Sequence, residues 1–527
     1  MTVRVCTAAG MRAREDQLFA AGRSSYDAMR AAGEGTAAVI LAHYPAVRTQ
    51  GAIVFVGTGN NGGDGWVIAG VLAQEGCPVQ VESLGEPTSA DAQRAKGAAS
   101  VALERAAERG AVTAPAVVVD ALLGTGAKGE PRGVLADAIA RIGALRSTGA
   151  RVVAVDIPSG IDATSGAGGR VVHADCTVTF DAMKQGLLLR RDETGALVVL
   201  DIGLGALVDE NAARAFGPEL IDAEWVRAAV PPIPAAAHKG VRRRITIVGG
   251  GDGMAGAPAL AARGALRSGI GMVRLLVAPT NVPVVQGALP EAMAARWPMT
   301  EEEQTPVLEW SHLLLLGPGL GMGTKSRALV ERLLVTWRGP VVLDADALNV
   351  FEGEPRTLGS LLGARPAIVT PHPVEAARLM RLDPAAILAN RFIVGAELAK
   401  TLGAVVLLKG PPTVISAPDG RVAVVAAGSP ALGTGGSGDV LSGIVATLLA
   451  QLGDPFVAAA AGAWVHGRAG EIAAGIEAPG LEQHGRRSVR GTNLIDVIDA
   501  LPMVWRLDDP LPVAPVRAAL PAVGAAR

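Results

Sequence analysis

Short apolar runs that end in Gly or Asp alternate with helical segments along most of this chain, in two separate series. The first series reads Ala52–Val56, Val79–Val81, Val117–Asp120, Val152–Asp156, Val178–Phe180 and Leu197–Asp201. The second reads Ile245–Val248, Val273–Val277, His312–Leu316, Val341–Leu343, Ala367–Thr370 and Val405–Leu408, with helical segments such as Ala255–Arg267 and Val440–Leu452. Strand-then-helix alternation predicts mostly parallel sheets covered on both faces by helices. Open sheets of that kind bind ligands beyond the carboxyl ends of their strands, and Asn60, Asn61, Asp64, Asp120 and Asp156 all fall at such ends.

An Ala-rich helical stretch up to about His43 precedes the first series, and the proline-rich run Pro231 to Ala237 separates the two. With 527 residues the chain exceeds what one ordinary core organises. The expectation is therefore an α/β protein of two domains, residues 1–225 and 226–507. Residues 508–527, with Pro510, Pro512, Pro515 and Pro521 among alanines, are expected to form a disordered tail. Half the residues are hydrophobic but only 3% are aromatic, and Gly numbers 67, so the cores are built from Ala, Val and Leu. The net charge of −2 arises from 48 basic and 50 acidic residues dispersed along the chain, which leaves no footprint for nucleic acid. Cys6, Cys77 and Cys176 form no Cys-x-x-Cys pair, which fits a reducing cytoplasm. No segment has the length and apolarity of a membrane span or a signal peptide, so a cytoplasmic protein without membrane partners is expected.

Each series carries one glycine-rich loop closed by an acid: Gly57 to Gly65, which contains Asn60, Asn61, Gly62, Gly63 and Asp64, and Gly433 to Asp439. Bare amides in such loops cradle phosphate oxygens, and the carboxylate does proton chemistry or holds a cation. The first loop fits the dinucleotide pattern G-x-G-x-x-G after a strand, with Glu82 at the end of the next strand, so a Rossmann dehydrogenase is one reading. Its two Asn and Asp64 exceed what pyrophosphate binding needs. The second loop runs into the apolar helix that begins near Val440, which puts its amides at a helix N-terminus.

Three further segments of the first half are specific: Asp120-Ala-Leu-Leu-Gly-Thr-Gly126, Val155-Asp156-Ile-Pro-Ser-Gly160 and Thr177 through Lys184 to Gly186. With the Asn-Asn-Gly-Gly-Asp loop they resemble the NAD(P)H-hydrate epimerase family, which implies a Rossmann-like three-layer domain. The resemblance implies that Asn60, Asn61, Gly62, Gly63 and Asp64, together with Gly124, Thr125, Gly126, Ala127, Lys128, Gly129 and Glu130, contact the hydrated dinucleotide. It also implies that Asn61, Asp120 and Ser159 hold a potassium ion, a hard cation suited to oxygen ligands. Asp156 has the chemistry to exchange protons at the hydrated carbon, with Lys184 stabilising it or acting as its partner.

In the second half, His238-Lys239-Gly240, Gly249-Gly250, Gly256 to Ala259, Gly317 to Gly321, Asp344 to Asn349, Thr370 to Glu375 and Lys409-Gly410 accompany the Gly433–Asp439 loop. They resemble the ADP/ATP-dependent NAD(P)H-hydrate dehydratase family of the ribokinase-like fold. The resemblance implies that Ala257, Gly319, His372 and Asp439 face the hydrated dinucleotide. Lys409, Gly410, Pro411, Pro412, Thr413 and Gly438 would face the adenine nucleotide, with magnesium as the cofactor. Asp439 is the expected catalytic carboxylate of this half, placed to activate a hydroxyl. Asp344 and Asp346 either cap a helix or hold a metal, His372 alternatively braces a turn, and His466 is read as packed or at the surface. Val374 stands where the family usually has Gly.

Both families on one chain imply a bifunctional enzyme acting on the hydrates of NADH and NADPH (NADHX and NADPHX) with ADP or ATP, and a homo-oligomer is expected. Competing readings are a nicotinamide-dependent oxidoreductase joined to a vitamin kinase, and a non-catalytic dinucleotide sensor.

Overall fold

The computed structural model describes residues 3–204, 210–476, 489–509 and 512–523. The chain divides into two compact units. The first is built from the residues up to Leu220 and takes in the C-terminal segment beyond residue 509; the second begins at Ile221 and ends at Asp509. The boundary therefore precedes the helix Ala223–Ala229, and the irregular run Pro231 to Ala237 lies inside the second unit.

In the first unit a seven-stranded sheet has the order Val516–Leu520, Ala196–Leu200, Cys176–Phe180, Arg151–Val155, Val117–Ala121, Ala52–Val56, Val79–Ser83. All neighbours run parallel except the C-terminal strand, which is antiparallel to Ala196–Leu200. Four inner strands are buried at every position, because helices cover both faces and leave no solvent side for a polar alternation. The tail expected to be disordered is thus corrected at Val516–Leu520. Prolines hold no segment out of a sheet when they flank it, and here Pro515 and Pro521 bracket an edge strand. Residues 510–511 and 524–527 of that expectation lie outside the described residues.

The second unit holds an open sheet in the order Met293–Arg296, Met272–Val277, Arg244–Val248, Leu313–Leu316, Val341–Leu343, Ala367–Val369, Val405–Leu408, Thr413–Ser416, Val422–Val425. The first seven are parallel and the last two turn back as antiparallel hairpins. The helices Gly256–Arg267, Ser437–Leu452 and Pro455–Ala473 pack one face with a core dominated by Ala and Val. No described helix is long and apolar enough to cross a membrane.

Candidate functional site

In the first unit the strand Ala52–Val56 delivers Gly57 to Gly59 straight into the helix Asn60–Gln74, which Gly59 caps. The turn is tight: a Cβ on Gly62 would lie 1.9 Å from the Gly57 carbonyl oxygen, so only glycine lets the helix close over the strand end. The free amides of this first turn border a cavity of about 710 Å³. Gly57 to Asn61 and Asp64 line it from this side, Gly124, Thr125, Gly126 and Ala127 from the loop after Val117–Ala121, and Asp156 and Lys184 from the next two strand ends. The expected residues Gly62 and Gly63 are not among the lining; Gly63 instead backs onto Met29 and Ala92. Lys128, Gly129 and Glu130 also lie off the lining, where Glu130 Oε1 accepts the Gly169 amide at 2.9 Å.

Lys184 is 1% exposed, and its Nζ sits 2.8 Å from Asp156 Oδ1. It also donates to Thr179 Oγ1 and to the Phe180 carbonyl, each at 2.9 Å. Burial opposes its charge, but Asp156 and then Cys6 outweigh that, and the ammonium is held above its ordinary pKa. Asp156 further accepts from Thr179 Oγ1 at 3.2 Å and from the Thr125 amide at 3.3 Å. Its backbone has φ 64°, a strained setting for a non-glycine residue, locked by the Asp156 amide on the Val178 carbonyl at 2.7 Å. Asp156 thus combines a strained backbone, an ion pair with a buried ammonium and a place on the cavity wall.

Asp120 is fully buried and accepts the Ser159 hydroxyl at 2.6 Å and the Ser159 amide at 2.8 Å. Burial pushes its carboxyl up to about 6 against those hydrogen bonds. Both amide atoms of Asn61 are buried with no partner, close to Gly124. The unpartnered Asn61 oxygen, the Asp120 carboxylate and the Ser159 hydroxyl are oxygen donors of the kind a hard cation takes, so this donor set fits potassium.

In the second unit the helix Ser437–Leu452 opens on Gly436, whose φ of 93° needs glycine. Lys409, at the end of Val405–Leu408, places Nζ 2.9 Å from Asp344 Oδ1 and 3.6 Å from Glu375 Oε2. A Cβ on Gly438 would lie 3.2 Å from the same Nζ, so the two expected nucleotide positions meet. Burial drives the Asp439 carboxyl up to about 7, with Asp344 adding to it and Lys409 opposing. His372 Nδ1 accepts the amides of Val374 and Glu375, and the His372 amide in turn donates to Glu375 Oε2 at 2.8 Å. His372 therefore caps the helix Pro373–Met380, while burial and then Lys409 lower its pKa.

Ala257 and Gly319 are brought together: a Cβ on Gly319 would meet Ala257 Cβ at 2.9 Å. Thr413 Oγ1 donates to the Gly410 carbonyl at 3.0 Å, and the buried Arg391 donates to the Pro412 carbonyl at 2.6 Å, with Pro411 exposed between them. Asp346 Oδ2 accepts the Gly321 amide at 2.8 Å and ties down the Gly317–Gly321 loop. Among the described residues no group of three His, Cys, Asp or Glu forms a ready metal cage. Magnesium, which binds through one or two carboxylates beside nucleotide phosphates, still fits the acidic set around Asp439.

Residues 25–186 match the family described as YjeF-related protein N-terminus, and residues 245–485 match the NAD(P)H-hydrate dehydratase family. The chain is 37% identical over 480 residues to the bifunctional NAD(P)H-hydrate repair enzyme of Moorella thermoacetica, covering 86% of this chain and 87% of that one. Its Escherichia coli (strain K12) counterpart is 35% identical over 492 residues, covering 91% and 90%. The chain belongs to the bifunctional NAD(P)H-hydrate repair enzyme family. A solved structure of the ADP/ATP-dependent NAD(P)H-hydrate dehydratase of Bacillus subtilis, co-crystallised with ATP/Mg2+, is 29% identical and covers 55% of this chain and 98% of its own, with a TM-score of 0.45.

Within this repair-enzyme chain, three residues of the first site escaped the sequence reading. Arg12 and Glu15 line the first cavity from the helix Ala8–Ala20, and burial, outweighing Lys184, pushes Glu15 up to about 7. Thr179 bridges Lys184 and Asp156, a role that only alternation within the strand Cys176–Phe180 hints at. His466 is buried against Ser437 Oγ at 3.2 Å, behind the first turn of the Asp439 helix, and burial lowers it to about 4. It is packed, as expected, and a neutral imidazole braces the glycine-rich turn.

Proposed function

We propose that the first unit interconverts the R and S hydrates of NADH and NADPH, and that the second converts the S epimer to NAD(P)H at the expense of ADP or ATP. In the first unit the hydrated ring enters the cavity between the Gly57–Asn61 amides and the Gly124–Ala127 loop. Asp156 takes and returns a proton at the hydrated carbon, while the ammonium of Lys184, 2.8 Å away, holds the carboxylate in place. Potassium, bound by Asn61, Asp120 and Ser159, would supply positive charge beside the substrate.

In the second unit Asp439 removes the proton of the ring hydroxyl, whose oxygen attacks the terminal phosphoryl group of the nucleotide. AMP leaves when the donor is ADP. Hydroxide is a poor leaving group and phosphate a good one, so loss of phosphate with a proton from the adjacent ring carbon restores the double bond. The amides of Gly436 to Gly438 and Lys409 face the charge that builds on the transferring group. Magnesium at the acidic set would neutralise the nucleotide phosphates.

The observation that carries this reading is the Asp439 carboxyl, raised to about 7 beside Lys409 and a helix N-terminus, in a chain of this family. A base needs that pKa to accept a proton at neutral pH and still be half free. Incubation with a mixture of hydrated NADH epimers and ADP, or ATP, should restore the absorbance of the reduced nicotinamide and consume both epimers. Turnover of ordinary NAD with a second substrate, or release of a stable phosphorylated vitamin, would replace it with the oxidoreductase–kinase reading.

A further inference from the structure

The C-terminal strand Val516–Leu520 joins the first unit's sheet next to Ala196–Leu200, and its register slips between Val516 and Ala518. The residue in that bulge is Arg517. Bulges re-aim a side chain and cluster beside active sites. This one turns Arg517 inward, where it donates to Asp181 Oδ1 at 3.0 Å and Asp201 Oδ2 at 2.8 Å and is only 14% exposed. Asp181 is buried and also takes Arg14 Nε at 2.9 Å.

Asp181 is the residue that turns the chain from the strand Cys176–Phe180 back to Lys184. Its φ is 58°, a conformation that a non-glycine residue adopts only when its surroundings impose it. The imposed contacts are the Leu200 carbonyl, which accepts the Asp181 amide at 2.8 Å, and the two guanidinium groups. Immediately after it, the Ala182 amide bonds to the Phe180 carbonyl at 2.6 Å, and that same carbonyl accepts Lys184 Nζ. The strand itself is clamped at both ends: the Asp201 amide donates to the Pro515 carbonyl at 2.8 Å, and Arg191 donates to the Pro521 carbonyl.

We propose that Arg517 is a positioning residue for epimerisation: the C-terminal strand, arriving from the far end of the chain, holds the Asp181 turn and through it sets Lys184 against Asp156. This rests on the roles given above to Asp156 and Lys184. Loss of Arg517 leaves Asp181 buried with one cation fewer and frees a strained turn to relax. A shift of the lysine by a fraction of an ångström lowers the rate of the chemical step while the amides that bind the dinucleotide stay where they are.

The test uses the full chain carrying Arg517→Ala or Arg517→Lys, and a chain lacking residues 512–527. Epimerisation kcat should fall by about tenfold to a hundredfold in Arg517→Ala and in the truncated chain, with KM held within about twofold. Arg517→Lys should recover part of the rate, since one ammonium replaces one arm of the fork. Dehydration of the pure S epimer in the same preparations should keep its parent rate. Amide hydrogen exchange at Ala182 to Lys184 should speed up in Arg517→Ala and in the truncated chain. An unchanged kcat, an equal fall of both activities, or unchanged exchange at the turn would overturn the proposal. Absence of epimerisation in the parent chain would instead refute the roles of Asp156 and Lys184, and exchange at the turn would then decide whether Arg517 holds it.

Discussion

Replacing Asp439 with Asn should remove dehydration and stabilise the second unit, and the second effect has a sign and a pH dependence fixed by the site. The folded carboxyl titrates at about 7 against an ordinary 3.8, because burial and Asp344 disfavour its charge more than Lys409 favours it. That difference corresponds to a ceiling of about 4 kcal/mol, and solvent reaching the half-buried group trims it to about 2–4 kcal/mol. Below pH 3.8 the carboxyl is protonated folded or unfolded and costs nothing. As pH rises toward 7 the unfolded chain ionises freely while the folded one holds its proton, so stability is lost; above 7 the full cost is present. Asparagine pays none of it. The stability advantage of Asp439→Asn should therefore grow by about 2 kcal/mol between pH 5 and pH 8, or about 4–8 °C in the midpoint of a domain of this size. Thermal unfolding of the full chain at the two pH values, with dehydration and epimerisation assayed in parallel, measures all three effects. An advantage that does not change with pH would refute the electrostatic account of Asp439, and loss of both activities would refute the separation of the two sites.

Asp156→Asn should lower epimerisation by about two to four orders of magnitude while dehydration of the S epimer keeps its rate, measured by chromatographic separation of the epimers. Asp120→Ala strips a charged oxygen from the proposed cation site, so the rise of Tm and of epimerisation rate with potassium chloride over matched lithium chloride should vanish. A parent chain indifferent to potassium would remove the cation from the site. Gly62→Ala should destabilise the first unit by about 2–4 kcal/mol, because its Cβ would sit 1.9 Å from the Gly57 carbonyl and the helix must move away from the strand end. Urea unfolding and retained dehydration in that variant would separate a local packing defect from general collapse.

Most strands were legible because they are buried on both faces and bounded by Gly or Asp, so apolar runs and chain punctuation coincide. Ala52–Val56, Val341–Leu343 and Val405–Leu408 match the expected limits residue for residue. The acids at strand ends were legible for the same reason: Asp156 is where an apolar run stops. Met293–Arg296 and Thr413–Ser416 were not read, the first being half-exposed and short of apolar residues and the second following two prolines. The C-terminal strand escaped because an antiparallel edge needs little local pattern; its partner Ala196–Leu200 lies some three hundred residues earlier, and no sequence window contains both. Thr179, Glu15 and Arg12 share a different cause. Their roles depend on which neighbour they face across elements, and neither spacing nor residue type reports that.

The two sites place a buried lysine differently, and their chemistry differs accordingly. In the first unit Lys184 sits 2.8 Å from Asp156, so the ammonium pairs with the carboxylate to which we assign the proton transfer. A carboxylate that must hand a proton back to the same carbon benefits from a fixed partner that keeps its geometry through both transfers. In the second unit Lys409 sits 2.9 Å from Asp344 and also faces Glu375, which leaves Asp439 with excess negative charge around it and a carboxyl raised to about 7. In the mechanism we propose, that acid takes one proton from a hydroxyl as phosphoryl transfer proceeds, a task favoured by a raised pKa. Under the proposed roles, the same two residue types give a carboxylate paired with lysine for reversible proton exchange and one set beside other acids for hydroxyl activation, with the choice set by which acid the lysine's ammonium meets.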